Sequence, residues 1–272
     1  MNDAVPVLVY HSVSDRPEPW IAPYTVTPRA FAEQLDRIAD GGRTVVPLRR
    51  LVSALRGGAA LPAHCAVLTF DDGYEDFYWA VAPILAERDL PATLYVTTGA
   101  VHVPGRPAEG SLLPPAPMLS WRQIANLDAL GIEIGGHSRT HAELDTLGGR
   151  RLDDEIAGCR RQLEDAVGHP VTAFAYPGGY SNALVRRRVQ KAGWTSGAAA
   201  PDAFSSSVDD PLRIARLSVR ADTSPERFQE WVQGRGAPVA PFPEPLRVKG
   251  WRAYRRIRAA LARPIGEPPI GL

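Results

Sequence analysis

A chain of 272 residues suits one large domain, or a domain with an appendage. Its apolar content of 44% allows a sizeable core, and 31 basic against 30 acidic residues argue against general nucleic-acid binding. Two cysteines, Cys65 and Cys159, in no metal-type spacing exclude a disulfide framework, and no run reaches the roughly 20 apolar residues of a membrane span.

The start, Met1-Asn2-Asp3-Ala4, lacks the basic region of a signal peptide, and the apolar run Val5 to Tyr10 is too short for its hydrophobic core. The expected location is therefore cytoplasmic. Val5 to Tyr10 reads instead as a strand from inside a parallel sheet. It ends in His11-Ser12-Val13, and a polar His at the end of a barrel strand reads either as a site residue or as a strand-terminal His bonded to backbone. The loop Ser14 to Tyr24, with Trp20, can rim a pocket. Thr27-Pro28 opens a helix whose apolar stripe is Phe31, Leu35 and Ile38. A short strand, Thr44 to Leu48, and a short helix, Leu51 to Leu55, precede Gly57-Gly58.

The strand Ala66 to Phe70 then delivers Asp71 and Asp72 to its C-terminal end, where Gly73 turns the chain. Phe77 to Leu90 reads as a helix, Ala92 to Thr98 as a strand, and Val101 to Pro117 as a long loop, of the kind that is usually functional or mobile. Ser120 to Gln123 is a capping box, with Gly131 at the helix end. Ile132-Glu133-Ile134 is the strand leading into Gly135-Gly136-His137-Ser138-Arg139-Thr140-His141. Arg150 to Val167 is an amphipathic helix with Leu152, Ile156, Cys159, Leu163 and Val167 on one side, so Cys159 is expected in the core. Val171 to Tyr176 is a strand, followed at the same face by Pro177-Gly178-Gly179-Tyr180. Ser181 caps a helix that ends at Gly193. Trp194 to Ala200 and Leu212 to Val219 are the last strands, and Ser224-Pro225 begins a helix carrying Phe228 and Trp231. About eight strands alternate with helices, which predicts an α/β fold with a parallel sheet, compatible with a barrel.

The expected catalytic domain is 1–236, with 237–272 as a Pro-rich linker and a basic C-terminal helix. That helix carries Val248, Trp251, Tyr254, Ile257 and Leu261 at helical spacing among arginines. It can lie on a membrane surface as a peripheral contact, or it can lay its apolar stripe on the barrel. The second reading is the expectation.

Two adjacent buried acids need a cation or a shared proton. Two imidazoles four positions apart can face one cation. One carboxylate and two imidazoles leave an open position on a divalent metal, and the second carboxylate is free to deprotonate a water there. This is a hydrolase's chemistry.

Thr69-Phe70-Asp71-Asp72-Gly73 followed by His137-Ser138-x-x-His141 resembles the polysaccharide deacetylases with the NodB homology domain (carbohydrate esterase family four). The resemblance runs from about Val5 to Val219. It implies a distorted or incomplete (β/α)7-8 barrel and metal-dependent removal of N-acetyl, or failing that O-acetyl, groups from an amino sugar. It makes Asp71 the general base and Asp72, His137 and His141 the metal ligands. Zn²⁺ is the first choice of ion, and Co²⁺, Ni²⁺, Mn²⁺ or Fe²⁺ also suit the donor set. Ala175-Tyr176-Pro177-Gly178-Gly179 stands at the family's oxyanion motif, so the backbone N–H of Gly178 is the expected donor. Tyr74, Tyr176 and Pro177 are the expected sugar contacts.

The motif's arginine, which orients the catalytic Asp in the family, is replaced by Ala175; Arg213 or Arg216 can reach the same place from a later strand. The late Leu-x-His acid is also missing from Leu217-Ser218-Val219-Arg220. Val9-Tyr10-His11-Ser12-Val13 instead resembles the circularly permuted branch acting on poly-N-acetylglucosamine, which makes His11 the general acid. The expected partner is an N-acetylated sugar, free or carrier-linked. A hydrolase of a non-sugar amide or imide, and a catalytically weak sugar-binding barrel, are the alternatives. His64, His102 and His169 are expected outside the site.

Overall fold

The computed structural model of the chain describes residues 4–105, 110–199, 201–242 and 246–261. Residues 1–3, 106–109 of the long loop, Ala200, 243–245 of the Pro-rich segment, 262–272, and the side chains of 246–249, 252–253 and 259–260 lie outside the described residues, as do the expectations that fall on them.

The strands are β1 (Val7–Tyr10), β2 (Ser12–Val13), β3 (Thr25–Val26), β4 (Thr44–Val45), β5 (Cys65–Phe70), β6 (Thr93–Val96), β7 (Glu133–Gly136), β8 (Ala173–Ala175), β9 (Ser196–Ala198) and β10 (Leu217–Ser218). The helices are α1 (Pro28–Asp40), α2 (Leu48–Leu55), α3 (Ala82–Glu87), α4 (Trp121–Ala129), α5 (Gly149–Asp153), α6 (Cys159–Val167), α7 (Ala183–Lys191), α8 (Pro225–Val232) and α9 (Leu246–Leu261). The main sheet is parallel, in the order β10-β1-β5-β6-β7-β8-β9, with β4 beside β5. Neighbouring strands in the path are joined mostly through helices, as a parallel sheet requires.

The sheet curls until its two edges nearly meet. No strand ladder joins β9 to β10 among the described residues, but Ala198 bridges Ile214, and Ala199 N–H donates to the Ile214 carbonyl at 2.8 Å. The barrel is incomplete, as expected, and its seam lies between the last strands. The expected strand over 212–219 contracts to β10, because 212–216 is spent on this closure.

β1 and β5 are buried along their whole length, which explains their unbroken apolar sequence. Phe70 stacks on Tyr10 and meets Phe31 and Phe77 edge-on, at ring separations of 4.9 to 5.7 Å. Such pairs contribute about 1 kcal/mol each beyond the area they bury. This aromatic cluster underpins the strand that carries the two acids. Local signals agree with the packing. Thr27 caps α1 with Pro28 at its first turn, and Ser120 and Gln123 close the capping box of α4. Cys159 is a core residue, fully buried.

Two expected helices contain a wide turn. Phe77–Val81 precedes α3, and Asp154–Gly158 separates α5 from α6. Such turns insert an extra residue and re-aim side chains, frequently at functional sites. Segment 238–240 runs along Phe204, which pairs with Val239 and donates to Pro238.

The C-terminal helix departs from expectation. Its apolar stripe does not lie on the barrel: Trp251, Tyr254, Ile257 and Leu261 are 49%, 53%, 60% and 80% exposed. Arg255 is the buried residue, ion-paired to Asp145 and Glu143 and set 4.1 Å over the ring of Tyr180.

The double glycine of β7 also has a packing cause. A Cβ on Gly135 would sit 2.6 Å from the Tyr95 ring and 2.8 Å from the carbonyl oxygen of Ala173. The second contact is backbone and cannot turn aside. Gly135→Ala should therefore destabilise the fold by about 1–3 kcal/mol, read as a lower urea midpoint with an unchanged slope.

Candidate active site

β5 ends where the barrel opens, and its last peptide units are held in the sheet: Asp71 N–H donates to the Tyr10 carbonyl at 2.9 Å. Beyond it the backbone turns through a left-handed Asp72, φ 76°. That turn separates the two acids. Both are buried, yet they meet different partners.

Asp71 is gripped by Arg216. Nη1 donates to Oδ1 at 2.7 Å and Nη2 to Oδ2 at 2.8 Å, while Nε donates to the Ala199 carbonyl at 2.8 Å. Nη1 also reaches Thr69 Oγ1 at 3.3 Å. Arg216 is fully buried and lies over the Tyr95 ring at 5.6 Å. Of the two arginines expected near Asp71, the structure brings Arg216 and not Arg213. The backbone N–H of Arg213 bonds to Asp210, and the residue does not line the cavity. Burial opposes the charge on Asp71, but Arg216, aided by His137 and His11, outweighs it and holds the carboxyl below its usual range.

Asp72 points to the histidines. His141 Nε2 lies 3.3 Å and His137 Nε2 3.5 Å from Asp72 Oδ1. His137 Nδ1 is 2.9 Å from the Ala175 carbonyl. A carbonyl only accepts, so Nδ1 carries the proton and Nε2 turns its lone pair to the site. Burial pushes the His137 imidazole down to about 4. For His141 burial also acts downward, but Asp72 outweighs it and raises the value. Burial opposes ionisation of Asp72, and His141 leads the groups that hold it below its usual range.

One ligand atom from each of Asp72, His137 and His141 lies within 4.8 Å of the others. Asp72 Oδ1 is buried without a hydrogen-bond partner. A lone buried carboxylate oxygen facing two imidazole nitrogens needs a positive charge at its centre. The donor set therefore fits a divalent cation.

The histidine loop is strained and braced. Ser138 and His141 have φ of 61° and 64°, uncommon for residues with side chains. Glu155 holds them. Its Oε2 accepts from the N–H groups of Arg139 and Thr140 at 3.0 and 2.8 Å, and its Oε1 accepts from Thr140 Oγ1 at 2.6 Å. Ser138 Oγ accepts from His141 N–H at 3.0 Å. Sequence reading missed Glu155. The available signal was an acid among the apolar positions Leu152, Ile156 and Cys159 of an amphipathic helix. The wide turn at 154–158 carries it to the loop.

These groups open onto a cavity of about 540 Å³. His11, Tyr74, Gly178, Tyr180 and Arg220 share its wall, and Trp20, Tyr24, Leu112 and Pro114 come from the two expected loops. His11 Nδ1 is buried without a partner, and its ring lies 5.3 Å from that of Tyr24. Gly178 is left-handed, φ 63°, in the single tight turn Pro177–Gly179, and it lines the cavity. Tyr176 and Pro177 are not on the wall. Tyr176 is fully buried: its N–H donates to the Ala198 carbonyl at 3.0 Å and its hydroxyl to the Leu212 carbonyl at 2.8 Å, which turns the ring inward. His102 lies on a larger cavity of about 790 Å³ beside Trp79 and Trp121, which holds none of the clustered acids and histidines. His169 pairs with Asp128 at the surface.

The family now follows. Residues 58–197 match the polysaccharide deacetylase family, and the chain belongs to it. The structure of IcaB from Ammonifex degensii is 27% identical, with a TM-score of 0.72 over 85% of this chain and 97% of that one. The Streptococcus pyogenes deacetylase PplD, solved in complex with acetate, is 23% identical, with a TM-score of 0.74 over 85% of this chain and 99% of that one. The poly-β-1,6-N-acetyl-D-glucosamine N-deacetylase of Escherichia coli K12 is 41% identical over 68 residues, which is 25% of this chain and 10% of that protein.

Two measurements test the electrostatics. Arg216→Met leaves a buried carboxylate unpaired and should cost about 3–5 kcal/mol of unfolding free energy. The double variant Asp71→Asn/Arg216→Met should recover part of that loss, read by denaturant unfolding of all four forms. Asp76 anchors the segment after His11: its Oδ2 accepts from Ser12 Oγ at 2.5 Å and Val13 N–H at 3.1 Å, while Oδ1 has no partner. Burial raises its carboxyl from 3.8 to about 6. A carboxyl raised on folding stabilises the fold fully below 3.8 and loses that contribution as pH rises through about 6. Stability of the wild type relative to Asp76→Asn should therefore fall by up to about 3 kcal/mol between roughly pH 4 and 7.

Proposed function

We propose that this deacetylase uses a divalent metal to remove the N-acetyl group of an amino-sugar substrate, with Asp71 as general base. One observation carries the reading: Asp72, His137 and His141 converge within 4.8 Å beside an Asp71 clamped by Arg216, all on one cavity. Asp72 Oδ1 and the Nε2 atoms of His137 and His141 would hold the ion, Zn²⁺ first among Co²⁺, Ni²⁺, Mn²⁺ and Fe²⁺. Once bound, it supplies Lewis acidity, lowering the pKa of water and polarising the acetyl carbonyl.

The chain's own groups do the rest. Arg216 keeps Asp71 ionised and fixes the direction of its lone pairs, so the carboxylate can take a proton from the attacking water. The water oxygen bonds to the acetyl carbon. Charge developing on the carbonyl oxygen is met by the Gly178 N–H, a backbone donor independent of side-chain identity. His11 gives a proton to the leaving nitrogen as the carbon–nitrogen bond breaks, and acetate and a free amine result. Trp20 and Tyr24 offer flat apolar faces to a sugar ring, and buried Tyr74 backs Trp20. The amino-sugar assignment draws on the substrate named for the Escherichia coli relative. The sugar can be free or carrier-linked.

Elemental analysis and an acetate-release panel of N-acetylated sugars and plain amides test this together. About one divalent ion per chain is expected, lost in His137→Ala/His141→Ala. Asp71→Asn should keep the ion and lose about 10²–10⁴ in rate, and His11→Ala should lose a similar factor at neutral pH. A wild type that holds no metal and refuses added Zn²⁺ and Co²⁺ sinks the proposal. Release from plain amides alone would move the substrate class.

A further inference from the structure

We propose that α9 is a docking surface for an anionic phospholipid bilayer. The helix is set opposite to an ordinary surface helix. One arginine, Arg255, is inside, while Trp251, Tyr254, Ile257 and Leu261 are outside. Arg255 is 3% exposed, paired with Asp145 and Glu143 and stacked on Tyr180. That anchor fixes the rotation of the helix about its axis, and it leaves Trp251, Tyr254, Ile257 and Leu261 on the solvent side. Trp251 and Tyr254 stack on each other at 5.4 Å, which holds their rings in one shelf. Paired aromatic rings with aliphatic neighbours are the composition of a helix lying at the headgroup boundary.

Charge selects the occupant. Leu246–Leu261 contains Arg247, Lys249, Arg252, Arg255, Arg256 and Arg258, and no acid. Arg256 and Arg258 are exposed beside the stripe. Cations beside a row of exposed apolar side chains match a surface that is anionic above and hydrocarbon below. A nucleic acid would use the cations but has no use for Ile257 and Leu261, and a second copy of the helix would set like charges together. No described helix is long and apolar enough to cross a membrane, so α9 lies on the bilayer. Position adds the functional point. Tyr180, under Arg255, lines the candidate active-site cavity. Docking by α9 would therefore bring the cavity mouth beside the headgroups.

Co-sedimentation of the full chain with vesicles tests this without reference to catalysis. The probes are phosphatidylcholine alone and phosphatidylcholine with roughly 30% phosphatidylglycerol, a charge density that gives a surface potential like a bacterial leaflet's. The wild type should bind the anionic vesicles at least about tenfold better than the neutral ones, and weaken as salt rises. Trp251→Glu/Ile257→Glu should lose about tenfold or more of that binding, with an unchanged thermal unfolding midpoint as the check on folding. No binding to anionic vesicles, equal binding to neutral ones, or undiminished binding by the variant would overturn the proposal. So would a lipid-independent dimer that the variant dissolves in light scattering.

Discussion

A buried carboxylate held by a buried guanidinium is the constraint on which this molecule turns. Asp71 cannot stay charged in the interior alone, and Arg216 cannot be buried without it. Their two parallel hydrogen bonds cross 145 residues of sequence. The pair brings together the end of β5 and the segment that closes the barrel, because the same guanidinium also donates to the carbonyl of Ala199. Closure of the fold and orientation of the carboxylate are thus one event.

Around that pair the site is made of backbone that would relax if left alone. Asp72, Ser138 and His141 all take left-handed conformations, at an expected cost of about 1–3 kcal/mol each. The compensation comes from carboxylates that sit elsewhere. Glu155 ties down the histidine loop from a wide helical turn, and Asp76 ties down the segment after His11. Asp145, next on the histidine segment, takes Arg255 from α9. Three acids of one neighbourhood therefore hold three different segments, and each is identified by its partner.

Much of this was legible in the sequence, and the reasons differ by element. The strand before Asp71 could be read because burial on both faces demands an unbroken apolar run. The two-histidine loop could be read because its spacing is chemical. Arg216 was half legible: a missing arginine left a gap, but two candidates on one strand differ only by which faces the seam, and register decides that. Glu155 was hidden because a single acid in an apolar stripe looks like an irregularity until the turn that displaces it is seen. Tyr176 was misread because the position before a tight turn could face either the cavity or the interior. The setting of α9 was misread for the opposite reason. Its apolar stripe was plain, but one ion pair with Asp145 outweighed it.

β1 and β10 lie side by side, with Leu8 opposite Leu217 and Val9 opposite Ser218. Val5 likewise pairs with Ser205. The two extremities of the catalytic unit are therefore spatial neighbours although they are far apart in the gene. A proton donor at the tip of either strand would enter the cavity from almost the same direction. Chain order is thus free to change where neighbourhood is not. The region matched to the family, 58–197, contains Asp71, Asp72, His137 and His141 but neither His11 nor Arg216. Those two come from opposite ends of the sequence, beside the paired strands β1 and β10. Any excised fragment that keeps only the matched region would keep the cluster of Asp72, His137 and His141 and discard the counter-charge of the carboxylate beside it.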